Sequence, residues 1–234
     1  MTRFSRQILV FGDGGQKCIS NATVAIVGCG GLGCNVITQL ALAGIGKLVL
    51  IDDDIPTESN MNRQFIYAGS MENFKVISSG KWIRKISPET DVVICSERLT
   101  DKNSVGLIKD CDVVVDCLDT VESRLVLNRA VLKSKKPLVH GGVNSLYGQV
   151  TTIIPGSTPC LGCILGKEPD GIISSVSSMV ATIGSIQANE VLKLVTGKGE
   201  TLAGKLLTID AEINDYRLVS ILRNPMCEAC KENY

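Results

Sequence analysis

The run Thr23-Val24-Ala25-Ile26-Val27-Gly28-Cys29-Gly30-Gly31-Leu32-Gly33, followed by Lys47-Leu48-Val49-Leu50-Ile51-Asp52, decides the fold. An almost uninterrupted apolar stretch reads as a strand buried on both faces, and the helical pattern over 32–43 follows the glycines directly. A G-x-G-x-x-G turn brings backbone N–H groups close to a phosphate at a helix N-terminus, and an acid about 20 residues later reaches a ribose hydroxyl. Gly28, Gly30, Gly31, Gly33 and Asp52 therefore point to a nucleotide. A dinucleotide oxidoreductase shares these features. It gains little, however, from Arg63 and Lys75 placed soon after the ribose acid, whereas an enzyme that breaks a phosphoanhydride needs cations for the developing charge.

Working outward, apolar runs at 47–52, 91–97 and 112–116 predict further strands, with helices over 74–86, 101–109 (capped by Asp101) and 121–135. Strand and helix alternate, which predicts an α/β fold: a Rossmann-like doubly wound sheet, parallel in its N-terminal half, with ligands at the carboxyl ends of its strands. Gly28, Asp52 and Asp119 all fall at such ends. Beyond Pro137, alternating stretches at 137–144 and 147–155 predict mixed or antiparallel strands extending the sheet. A polar segment over 156–178 reads as a long loop, its 164–178 part a crossover, before a helix over 180–195 and a hairpin at 205–210 and 217–222. The expected organisation is one domain over 1–234: an arm or helix over 1–20, a nucleotide-binding half over 21–136, and a second half over 137–234.

The 24 basic and 24 acidic residues balance, so no excess of cations is available for the phosphates of a nucleic acid. No stretch resembles a signal peptide or a membrane span, and the expected location is the cytoplasm. Ten cysteines then need an explanation in a reducing compartment. Cys18, Cys29, Cys34, Cys95, Cys111 and Cys117 are scattered and read as buried spectators. Cys160, Cys163, Cys227 and Cys230 form two C-x-x-C pairs on short turn-like segments, a set suited to tetrahedral Zn²⁺ with no position left for water. Redox dithiols are the alternative, although neither pair follows a strand at a helix start. The single histidine, His140, lies in an apolar run and reads as a buried, hydrogen-bonded strand residue.

Taken in order, Ser5-Arg6-Gln7, the glycine turn, Asp52-Asp53-Asp54, Ser59-Asn60-Met61-Asn62-Arg63-Gln64, Lys75, Asp116-Cys117-Leu118-Asp119 and the cysteine pairs resemble the ThiF/MoeB/HesA family, adenylyltransferases related to ubiquitin-activating enzymes. The resemblance covers nearly the whole chain. It implies ATP-dependent adenylation of the C-terminal glycine carboxylate of a small ubiquitin-like sulfur-carrier protein ending in Gly-Gly, with release of pyrophosphate. It also implies that Asp52 binds the ATP ribose and that Arg63 and Lys75 contact phosphates. Asp119 holds Mg²⁺ in this scheme, Asn60 and Gln64 orient the cluster, and Asp54 sits at its edge. Arg6 would reach the ATP of a second protomer, implying a homodimer, and residues 137–234 would receive the carrier. A C-terminal carboxylate is already ionised near neutral pH, so the chemistry needs alignment and charge neutralisation rather than a general base.

The chain differs from many relatives in having no cysteine between 167 and 178, so no covalent stage is expected there. It also stops four residues after Cys230, which implies a separate sulfur donor. Two other functions use the same residues: adenylation of a peptide or natural-product precursor, and a non-catalytic scaffold that binds a ubiquitin-like protein.

Overall fold

The computed structural model describes residues 3–166 and 174–231. Helix α1 (Ser5–Asn21) leads into β1 (Thr23–Val27), α2 (Gly31–Leu42) and β2 (Lys47–Ile51). Two short 3₁₀ turns, Glu58–Asn60 and Phe65–Tyr67, precede α3 (Lys75–Ile86), β3 (Asp91–Cys95), α4 (Ser104–Ile108), β4 (Val113–Asp116) and α5 (Val121–Ser134). The second half comprises β5 (Leu138–Asn144), β6 (Tyr147–Ile153), α6 (Leu161–Ile164), α7 (Ser177–Thr196), β7 (Lys205–Asp210), β8 (Asp215–Ser220) and α8 (Glu228–Lys231). One eight-stranded sheet runs in the order β3-β2-β1-β4-β5-β6-β7-β8, and it is parallel as far as β5 and antiparallel from β6 on.

Strand periodicity divides β1 between two cores. Val24 and Ile26 face α2 and α7 together with Val36, Ile37, Leu40 and Ile183, while Ala25 and Val27 face α4 and α5 with Ile108, Leu127 and Val131. Each fully buried aliphatic side chain of this kind contributes about 1.5–3 kcal/mol. The central strands thus carry helices on both faces, and the chain reverses its direction of winding between β1 and β4. That reversal opens a crevice at the carboxyl ends of these strands, where ligands of such sheets bind.

The elements depart from the sequence expectation at their ends, for local reasons. Asp101 does not cap α4, because its carboxylate is held by the Arg129 guanidinium at 2.8 and 2.9 Å. The side chain of Asn103 instead closes the turn onto Thr100 N–H at 2.8 Å, and the helix starts only at Ser104. Strand β6 ends at Ile153 because the next amide, Ile154 N–H, is taken by Thr158 Oγ1 at 3.0 Å. Strand β8 begins two residues early, directly after Asn214, whose φ of 55° makes the hairpin reversal. Helix α7 gains a turn at its start and ends on Gly197 at φ 66°, a left-handed cap that favours glycine. Cys163 and Cys230 lie in the one-turn helices α6 and α8, and Cys160 and Cys227 stand just before them. Cys18 is exposed and Cys95 half-buried, so the spectator expectation holds in full only for Cys29, Cys34, Cys111 and Cys117. Of the expected crossover loop, residues 167–173 lie outside the described residues. Ser175, toward the loop's end, bridges to Ser145 beside the crevice.

Candidate nucleotide cleft and cysteine cluster

A cleft of about 780 Å³ opens at the crevice, within the range of small-molecule sites. Gly28, Gly30, Gly31, Asp52, Asp53, Asp54, Arg63, Gln64, Lys75 and Asp119 line it. Gly28 has φ 93° and no room for a Cβ, which would stand 2.6 Å from the Cys117 carbonyl oxygen. Gly33 stays out of the cleft: a Cβ there would collide with the Gly28 carbonyl oxygen, so this glycine lets α2 pack onto the turn. Gly30 caps α2 without a side-chain hydrogen bond, which leaves first-turn N–H groups of a twelve-residue helix free to meet an anion.

Asp52 is braced on both oxygens. Oδ2 accepts from Cys29 N–H at 2.7 Å and Oδ1 from Asp54 N–H at 2.9 Å, tying the acid to the glycine turn and to its own loop. Burial raises its pKa, opposed by the nearby Lys75 cation. Lys75 begins α3, is only 6% exposed, and meets Asp54 twice: its N–H donates to the Asp54 carbonyl at 2.8 Å and its Nζ to the carboxylate at 2.6 Å. Burial pulls the Lys75 pKa down, but the Asp52 and Asp54 carboxylates outweigh it and the net shift is upward. A lysine at this position is therefore not a solvated helix-start residue, and Asp54 is its partner rather than an idle loop acid.

Arg63 donates to the Ser59 carbonyl at 3.0 Å and the Asn62 side chain at 2.8 Å, and it has no carboxylate partner among the described residues. A half-buried guanidinium without a counter-charge suits a phosphate. Asn60 lies off the cleft wall. Its side chain accepts from Thr57 N–H at 3.1 Å and its carbonyl from the N–H groups of Arg63 and Gln64, so it shapes the turn that aims them. Gln64 is 4% exposed, and its Oε1 is buried without a partner. Asp119 is exposed in the cleft and does not cap α5; Thr120 does, accepting from Ser123 N–H at 3.3 Å. Arg6 is exposed on α1 and does not line this cleft.

The sequence reading missed the wall opposite the nucleotide half, built from Arg124, Gly142, Asn144, Tyr147, Gln149 and Ser175. Arg124 was detectable in principle, one helical turn from Thr120 at the start of α5. Beneath it, Asp116 and His140 are fully buried with His140 Nδ1 2.7 Å from Asp116 Oδ2, and Arg124 Nε stands 3.7 Å from the same oxygen. His140 is the buried, hydrogen-bonded strand histidine expected. Burial pushes its pKa below the ordinary value, with Asp116 opposing. In the unfolded chain the imidazole protonates near pH 6.5. The native state then binds fewer protons as pH falls through that value, so the native state is penalised on acidification. Urea midpoints measured on either side of about pH 6.5 should show a loss of stability in acid that is smaller in His140→Gln. An equal acid loss in both proteins would refute this.

Four thiols gather at the other end of α5. Cys160 Sγ is 4.0 Å from Cys163 Sγ and 3.6 Å from Cys227 Sγ, Cys163 Sγ is 3.6 Å from Cys230 Sγ, and all four lie within 4.8 Å of one another. Four sulfurs at about 2.3 Å from a tetrahedral Zn²⁺ stand about 3.8 Å apart, so the spacing fits that ion. Asn128 of α5 completes the surroundings, donating to Cys160 Sγ at 3.5 Å and accepting from Leu161 N–H at 3.0 Å. Among the described residues no helix is long and apolar enough to cross a membrane.

The ThiF family model matches residues 4–229. Adenylyltransferase and sulfurtransferase MOCS3 of Sus scrofa is 35% identical over 98% of this chain, which spans about half (53%) of that relative's length. Molybdopterin-synthase adenylyltransferase of Escherichia coli is 34% identical, covering 98% of this chain and 96% of its own. The crystal structure of E. coli MccB with ATP superposes with a TM-score of 0.87 at 22% identity, over 98% of this chain and 75% of that one, a likeness of fold.

Proposed function

Because the chain belongs to the ThiF family, we propose that it adenylates the C-terminal carboxylate of a small ubiquitin-like sulfur carrier ending in Gly-Gly, with ATP as the nucleotide and pyrophosphate as the leaving group. The observation that carries this reading is the convergence of Lys75, Arg63 and the open N-terminus of α2 on one cleft. Asp52 is suited to the ribose, α2 and Arg63 to the phosphates, and Lys75 to the charge that grows on the departing pyrophosphate, exchanging Asp54 for phosphate oxygens. The carrier carboxylate attacks the α-phosphorus, and the bond from that phosphorus to the bridging oxygen breaks. Electrostatic stabilisation by fixed groups does most of this work.

Asp119 would supply the one carboxylate that Mg²⁺ needs beside phosphate oxygens and water, and the bound ion would neutralise phosphate charge. Cys160, Cys163, Cys227 and Cys230 would hold a structural Zn²⁺ that fastens α6 and α8 to α5. In this reading 21–136 holds the nucleotide and 137–234 receives the carrier within one domain, and Arg6, remote from its own cleft, serves the cleft of a second protomer in a homodimer. Sulfur comes from a separate donor, since the one thiol on the described cleft wall, Cys117, is 7% exposed and its pKa is raised by burial, which makes it a poor nucleophile. A cytoplasmic location belongs to this reading, because a reducing compartment keeps cysteines as thiols available to a metal.

ATP–pyrophosphate exchange with Mg²⁺ and a panel of small Gly-Gly proteins tests the proposal. Exchange dependent on one carrier supports it. Exchange driven by a short peptide alone would favour a peptide precursor, and tight carrier binding without exchange would favour a scaffold.

A further inference from the structure

Asp116 and His140 are both fully buried and neither lines the cleft, but the residue they hold does. Asp116 accepts from Leu118 N–H at 3.0 Å through Oδ1 and stands 2.7 Å from His140 Nδ1 through Oδ2. A carboxylate at that distance places the imidazole proton on Nδ1 and leaves a lone pair on Nε2. Gln149 Nε2 lies 3.3 Å from His140 Nε2. An N–H belongs there, so the amide nitrogen is turned inward and the amide oxygen away from the histidine. Gln149 lines the cleft, and its Oε1 accepts from no described residue. Gly142 lies directly across from it on β5.

We infer that Gln149 binds the substrate tail: its Oε1 accepts a hydrogen bond from a backbone N–H near the C-terminus of the extended segment whose carboxylate is activated. Asp116 and His140 are positioning residues that decide which end of the amide faces the tail. The inference rests on the adenylation reading. Phosphates and the reacting carboxylate offer acceptors only and gain nothing from an amide oxygen. The donors of the nucleoside belong beside Asp52 at the end of β2, and β6 is four strands away, roughly 19 Å across the sheet at the usual strand spacing. The remaining donors are the peptide N–H groups of a tail entering over β5 and β6.

The test uses the carrier that supports exchange, prepared with its last or its penultimate amide N-methylated. Gln149→Ala should raise the carrier KM about tenfold while leaving the ATP KM and kcat within about twofold, the loss expected for one hydrogen bond to a positioned neutral group. N-methylation of one of the two amides should cost the wild type about tenfold and cost Gln149→Ala almost nothing further, because the two changes remove the same bond. His140→Asn should raise the carrier KM by a similar factor, and adding Gln149→Ala to it should change little. Carrier-dependent exchange in the wild type with no coupling between Gln149 and either amide would overturn the inference and leave the adenylation reading standing. Absence of exchange with every Gly-Gly carrier would remove both.

Discussion

Lys75→Met is expected to lower kcat/KM for carrier-dependent exchange by about 10²–10³-fold, the scale of losing one preorganised charge at a transition state. The methionine keeps the apolar stem that packs at the start of α3 and removes only the cation. The folded protein should tolerate this. Asp54, the hydrogen-bonded partner left behind, has a side chain 66% exposed, so its freed charge is solvated and that pair's contribution to stability is discounted to about 1 kcal/mol or less, and the more buried Asp52, which also loses the nearby cation, keeps its hydrogen bonds from Cys29 and Asp54 N–H. A large fall in exchange with a nearly unchanged melting temperature therefore assigns Lys75 to the reaction. Exchange within a few-fold of wild type would place Lys75 as a loop brace for Asp54 and nothing more.

Cys227→Ala should have the opposite profile: loss of bound zinc and a large loss of stability, with exchange declining as a consequence. Removing Cys227 leaves the sulfurs of Cys160, Cys163 and Cys230 within 4.8 Å of one another without a closed metal shell. Metal loss belongs to the few mechanisms that cost on the order of 4 kcal/mol or more. For a chain of this size that corresponds to a fall in melting temperature of about 8–16 °C. Elemental analysis should find one zinc ion per wild-type chain and none in the variant. Wild-type protein that binds no zinc, or a variant that melts with it, would show the cluster to be a set of packed thiols.

The parallel half of the fold and the nucleotide wall of the cleft were legible because their signals are local. Val24 to Val27 is apolar on both faces, and Gly28, Gly33 and Asp52 act through offsets fixed by a strand, a turn and a helix. The cysteine pairs were legible for the same reason, since ligands three residues apart on one short segment meet without knowledge of the fold. What failed depended on distant partners. Asp101 looked like a helix cap until Arg129, 28 residues on, occupied its carboxylate. Tyr147 and Gln149 reach the cleft because β6 runs antiparallel beside β5, while Arg124 reaches it from the first turn of α5, just after β4. The alternation over 147–155 announces a mixed or antiparallel strand, but not which of its side chains meet the cleft. Gly33, grouped with the phosphate-facing glycines by its motif, lies off the cleft wall where it lets α2 pack onto the turn, and Asn60 shapes the turn that carries Arg63 and Gln64 without lining the wall itself. Both have the residue type the motif requires, with a role decided by a neighbour's carbonyl or amide.

The central claim is that a carrier carboxylate oxygen becomes bonded to the α-phosphorus of ATP. Labelling both oxygens of the carrier's terminal carboxylate with a heavy isotope and analysing the products by mass spectrometry tests it most directly. Adenylation followed by hydrolysis at the acyl carbon predicts AMP carrying one heavy oxygen, together with unlabelled pyrophosphate and an adenylyl-modified carrier trapped at early times. Unlabelled AMP, or ATP cleaved with the heavy atoms all retained on a carrier that never gains an adenylyl group, would contradict it.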